Sequence, residues 1–213
     1  MFCNFWTLLC CDRSFKMYDV IYLTGAPAAG KSSAAKRLAE RVPGLEVWEF
    51  GERLTAYLRR RLGPDLAQTD LREKSGRIAT PEDVAAVDRS LIGFVSETRL
   101  RAPVLIDSHP VTKETFGYRV TPFGIEGLQQ LKPTQVWMLY TDPNVAVGRI
   151  ERDPQGRPLI TVEEARMHTH LQASVACTYG VLAGVPVHFF DASRSPEEID
   201  LELESRIGRR PTA

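Results

Sequence analysis

The chain has no excess of either charge. Its 27 Lys and Arg offset 27 Asp and Glu over 213 residues, so a broad basic face for nucleic acid or a membrane surface is not expected, and any basic site must be local. Cysteine is scarce. Cys3, Cys10, Cys11 and Cys177 show neither a C-x-x-C pair nor zinc spacing, and the adjacent two do not bridge easily, which favours reduced thiols and a cytoplasmic location. No internal repeat, low-complexity tract or long linker is visible. The apolar stretch from Met1 to Cys11 lacks a basic start and a small-residue cleavage site and is too short to span a bilayer. With Met17 directly before the first apolar run, residues 1–16 read as a dispensable leader and 17–213 as one domain. A 43% hydrophobic content is enough to bury a full core at this length.

Against that plain background one motif stands out. Gly25-Ala26-Pro27-Ala28-Ala29-Gly30-Lys31-Ser32 follows the apolar run Val20 to Leu23 and precedes a helical pattern, the context a phosphate-binding P-loop requires. Successive backbone N–H groups of such a loop, with Ser33 in the helix behind it, cradle a β-phosphate at the positive end of that helix. Lys31 would reach the β/γ-phosphates and Ser32 would take a place on Mg²⁺, so ATP and Mg²⁺ are the expected ligands.

Strands and helices then alternate. Val20 to Leu23, Leu45 to Phe50, Val104 to Asp107, Thr134 to Tyr140 and Val185 to Phe190 read as strands. Helices are expected over Lys31 to Arg41, Glu52 to Leu62, from Thr80-Pro81-Glu82 to near Leu100, Asp142 to Arg152 and Val162 to Ala183. Strands apolar on both faces and separated by helices argue for an α/β fold, a parallel sheet covered on each side, with ligands at the carboxyl ends of its strands.

Asp107 closes the third strand, where a P-loop enzyme needs an acid to hold Mg²⁺. His109 follows and is a weaker candidate for orienting substrate. Arg149, Arg152 and Arg157 surround the turn Asp153-Pro154-Gln155-Gly156, where a lid at about 149–160 would fold over the nucleotide with cations suited to phosphate. Arg53, Arg72 and Arg77 form a looser set at about 50–100, where a phosphate acceptor would enter.

The order of these pieces resembles the archaeal-type adenylate kinases, a branch of the nucleoside-monophosphate kinases. The resemblance rests on the P-loop, Phe50-Gly51-Glu52-Arg53, Ile106-Asp107-Ser108-His109 with Gly117-Tyr118 after it, the Arg149 to Arg157 segment, and Thr178 to Gly184 before the last strand. It implies a five-stranded parallel P-loop kinase core with a small acceptor-binding helical insertion and a short lid. It also implies Mg²⁺-dependent transfer of the ATP γ-phosphoryl group to AMP, with Lys31, Asp107, Arg149, Arg152 and Arg157 catalytic and Glu52, Arg53, Arg72, His109 and Tyr118 on the acceptor. Three departures stand against it. Ala28 replaces a usual Gly, which the loop tolerates if φ there is not positive. Ala173 replaces an Arg, after His168 and with Gln172 for an Asn. The family's Arg-Asp-x-x-Arg is half kept, with Gln68 and Thr69 before Arg72.

A second reading is a kinase for a hydroxyl acceptor, a small metabolite, an antibiotic or a nucleic-acid 5′ end. That chemistry wants a carboxylate near the end of the second strand, where Glu49 and Glu52 stand. A third is a binding protein whose ATP state controls a partner. On the first reading the partners are small-molecule nucleotides, with no nucleic acid and no membrane.

Overall fold

Every residue of Val20–Gly25 is buried, because this strand, β1, lies at the centre of a sheet with both faces covered. The computed structural model describes residues 17–63, 78–153 and 158–208. The leader 1–16 and the candidate residues Arg72, Arg77 and Arg157 lie outside them. After β1 come α1 (Lys31–Arg41), β2 (Glu46–Glu49), α2 (Phe50–Leu62), α3 (Pro81–Thr98) and β3 (Val104–Asp107). Then follow β4 (Val111–Glu114), β5 (Gly117–Val120), α4 (Ile125–Leu131), β6 (Gln135–Tyr140), α5 (Pro143–Glu151), α6 (Val162–Ala183), β7 (Val187–Asp191) and α7 (Pro196–Glu204).

Five strands pair in parallel in the order β2-β3-β1-β6-β7, as expected of apolar strands joined through helices. Their pleat divides the core in two. Val20 and Tyr22 face one layer with Val104, Ile106, Val136 and Met138, against Val87, Leu91 and Val95 of α3 and Tyr179 of α6. Ile21 and Leu23 face the other with Leu105, Trp137 and Leu139, against Ala34, Ala35 and Leu38 of α1 and Ile199 and Leu203 of α7. Gly180 lets α6 come this close to β7: a Cβ there would stand 2.1 Å from Val187 Cγ2.

Helix starts are marked by side chains that satisfy otherwise orphaned N–H groups. Thr80 with Asp83, Thr161 with Glu164 and Ser195 with Glu198 each form a reciprocal capping box. The sequence reading lacked α4, α7 and the antiparallel hairpin of β4 and β5, in which Val111 pairs with Val120 and Glu114 with Gly117. No described helix is long and apolar enough to cross a membrane.

Candidate active site

The P-loop turns out of β1 where the backbone has no room for a side chain: a Cβ on Gly25 would lie 2.3 Å from the Leu139 carbonyl oxygen. Gly30 caps α1 in the left-handed region at φ 83°, a conformation natural to glycine. Ala28 also has positive φ, 61°. The condition under which alanine would be tolerated without strain is therefore not met, and the loop holds its nucleus in a conformation that L side chains adopt at a cost.

Lys31 and Ser32 open α1, whose first turn carries no acidic residue, so its positive end stays available to an anion. Ser32 Oγ donates to Asp107 Oδ2 at 2.7 Å, and Lys31 Nζ lies 4.0 Å from Asp107 Oδ1. Asp107 is buried. Its place is fixed by β3, which pairs Asp107 with Leu23 on one side and Glu49 on the other. A hydroxyl and a carboxylate in contact are hard oxygen donors of the kind Mg²⁺ takes together with phosphate oxygens and water, so the chemistry of the pair fits that ion. Among the described residues no three His, Cys, Asp or Glu side chains come together as a metal cage.

These groups lie on a cleft of about 1100 Å³ that runs from the P-loop across the carboxyl ends of β2 and β3. Pro27 to Ser33, Glu52, Asp107, His109 and Arg149 all line it. Arg149 does more than point at the cleft. Its Nη1 donates to the Ala28 carbonyl and its Nη2 to the Ala192 carbonyl, each at 3.0 Å, so one planar guanidinium ties the strained loop to the chain leaving β7.

Three residues placed by sequence at the site stand elsewhere. Arg53 is exposed and stacks its guanidinium 4.7 Å over the Trp48 ring, a cation–π contact that satisfies it on the outer side of α2. Arg152 turns back on its own helix, its Nε donating to the Gly148 carbonyl at 2.7 Å. Tyr118 donates its hydroxyl to the Glu164 carbonyl at 2.6 Å and sets its ring edge-on to His168, fastening the hairpin to α6. None of the three belongs to the cleft wall.

The cleft also holds groups that the sequence did not single out. Lys113, Glu114 and Arg119 reach it from the hairpin, with Arg119 Nη2 3.1 Å from Glu114 Oε1 and Lys113 Nζ 2.9 Å from Glu164 Oε1. Asp88 enters from α3, and burial pushes its carboxyl up to about 6 against the weaker pull of Arg89. The signal was present: Val84, Asp88 and Leu91 recur at helical spacing on one face, an acid set within an apolar stripe. Glu49 ends β2 in the same cleft, and burial, then the neighbouring Glu52, raises its proton affinity above that of an ordinary glutamate. Under the loop, His168 is buried and held below its ordinary range by desolvation. Because a carbonyl only accepts, its Nε2, 3.0 Å from Val111 O, carries the proton. Beside it Gln172 donates through Nε2 to the Thr24 hydroxyl.

A family model described as AAA domain matches residues 24–166. No curated protein matches the chain. Among solved structures, a shikimate kinase from Bacteroides thetaiotaomicron superposes with a TM-score of 0.54 at 17% identity, over 88% of this chain and 97% of that one. An unliganded sugar kinase from Janibacter sp. HTCC2649 superposes with a TM-score of 0.52 at 14% identity, over 88% of this chain and 93% of that one. At such identities the likeness establishes the shared fold, a P-loop kinase core with its five-stranded parallel sheet.

Proposed function

Since the chain belongs to the AAA domain family, with a P-loop at the end of β1, we propose that it transfers the γ-phosphoryl group of ATP to a nucleoside monophosphate. The observation that carries this reading is the division of the cleft. One end is built from the P-loop, Lys31 and Asp107. The other is lined from α2, α3 and Phe123 largely by apolar side chains, Leu54, Val84, Leu91 and Phe123, with Asp88 among them. Such a lining suits a flat ring better than it suits a small polyol, whose hydroxyls need many polar partners.

In the proposed reaction the P-loop amides and Lys31 hold the β- and γ-phosphates. Ser32 and Asp107 would hold Mg²⁺, which neutralises charge on the phosphate oxygens when bound. An oxygen of the acceptor phosphate forms the new bond to the γ-phosphorus as the bond to the β-phosphate oxygen breaks, and ADP leaves with that electron pair. A phosphate acceptor needs no base. Arg149 keeps the loop in shape during transfer, and Arg72 and Arg157 remain the proposed acceptor and lid cations.

Glu49 favours a second reading. It sits in β-sheet register with Asp107, and its raised proton affinity suits a group that takes a proton from an attacking hydroxyl. On that reading the acceptor is a small alcohol, and Glu49 receives its proton as the oxygen attacks. ADP formation measured against a panel of monophosphates, nucleosides, sugars and RNA 5′ ends separates the two. Turnover with monophosphates alone supports the first reading; turnover with a hydroxyl compound alone, abolished by Glu49→Gln, refutes it.

A further inference from the structure

We propose that Asp88 selects the base of the acceptor, taking a ring that presents two adjacent N–H donors, as the guanine edge does. This rests on the monophosphate reading and names the substrate within it. Asp88 lines the cleft together with Leu54 and Thr55 of α2, Val84 and Leu91 of α3, and Phe123. These walls supply area for stacking. They supply little that tells one base from another, since the Thr55 hydroxyl donates inward to the Gly51 carbonyl at 2.7 Å. Asp88 carries that information. It is half-buried, and its carboxyl makes no hydrogen bond with any described residue.

The chemistry of the edge follows from the donor inventory. An ionised carboxylate only accepts, through two oxygens a fixed distance apart. Guanine offers N1–H and the N2 amine side by side, and both oxygens are filled. Adenine offers one amine beside the N1 lone pair, so one oxygen faces a lone pair in a setting short of water, where the mismatch is costly. A bidentate pair of this kind discriminates by about 1–3 kcal/mol, which is about 5- to 150-fold in affinity. The raised proton affinity of Asp88, caused mainly by burial, agrees with a carboxylate short of partners until a ligand brings them. The other titratable groups that feel its charge are Arg89 beside it, Tyr22 of β1 and Tyr179 of α6. Both tyrosines stay neutral at neutral pH because burial raises them further.

The test is equilibrium binding of GMP, IMP and AMP to the full chain at pH 7.5 by titration calorimetry, with KM and kcat measured in parallel. GMP should bind about 5- to 150-fold tighter than AMP, and IMP, which keeps N1–H but lacks the N2 amine, should fall between. Asp88→Asn, which offers one donor and one acceptor, should reverse the preference toward AMP. Asp88→Glu should keep the GMP preference, which separates an edge-reading carboxylate from a residue that only supports the fold. Equal binding of GMP and AMP to the wild type, or a ratio unmoved by Asp88→Asn, overturns the assignment and leaves the monophosphate reading standing. No binding of any monophosphate, alongside transfer to a hydroxyl compound, overturns both.

Discussion

Ala28 offers the most direct quantitative test of the loop geometry. Its φ of 61° places an L side chain where Cβ crowds the following carbonyl, at a cost of roughly 1–2 kcal/mol relative to glycine. Ala28→Gly removes that cost. It also frees the unfolded chain, which destabilises by about 0.4–1 kcal/mol, so the net gain expected is about 0.5–1 kcal/mol. For a chain of this size that is a rise of about 1–4 °C in Tm. Ala28→Val works in the opposite sense, because a β-branched residue at positive φ is a true outlier. It should lower Tm by about 2–6 °C and weaken ATP binding, since the loop amides can then relax only by leaving their cradle. Differential scanning calorimetry and nucleotide titration on the two variants read both effects. A fall in Tm for Ala28→Gly, or unchanged stability and ATP affinity for Ala28→Val, would show that the loop does not hold residue 28 in this conformation.

Other outcomes follow from the same site. Lys31→Ala should leave the fold intact and lower turnover on the order of a hundredfold or more, measured by ADP release, because a cation aimed at the developing charge is lost. Arg149→Ala leaves the Ala28 and Ala192 carbonyls without their shared donor and should cost about 1–3 kcal/mol in denaturant unfolding; an unchanged midpoint would refute its bracing role. Arg53→Ala should leave the acceptor KM unmoved within about twofold, given its stacking on Trp48; a large rise in KM would place it at the acceptor after all. The folded-state carboxyl of Asp88 is raised from 3.8 to about 6, so the native state binds the extra proton and stability falls as pH rises from about 4 to about 6. Chemical denaturation of Asp88→Asn across that window should show a smaller fall than the wild type.

The sheet was legible because its inner strands β1, β3 and β6 are almost wholly buried and largely apolar on both faces, a pattern that leaves a covered parallel sheet as the economical solution. The P-loop and the acid closing β3 were legible for a related reason: both depend on local order along the chain. The hairpin was missed because β4 and β5 are four-residue strands rich in Thr, Lys, Glu and Arg, and their pairing is fixed by Tyr118 reaching α6 rather than by their own pattern. Arg53 was misplaced because a sequence gives a helix its residues but not the neighbour across the turn, and here Trp48 offers the guanidinium a face. Arg152 was grouped with the lid by its nearness in sequence to that turn, whereas its side chain turns back to the Gly148 carbonyl of its own helix. Asp88 was passed over because one acid at helical spacing among apolar residues is ordinary on an exposed face, and only its neighbours reveal that the face is a wall of the cleft.

On the proposed kinase reading, the two carbonyl contacts of Arg149 change what closure over the nucleotide requires. A cation carried by a moving segment has to be brought in and desolvated during each turnover, and its reorganisation adds to the barrier. A guanidinium already locked between Ala28 and Ala192 would contribute its field before the acceptor arrives, as a preorganised positive charge fixed to the frame of the sheet. Whatever moves over the nucleotide then need only exclude water.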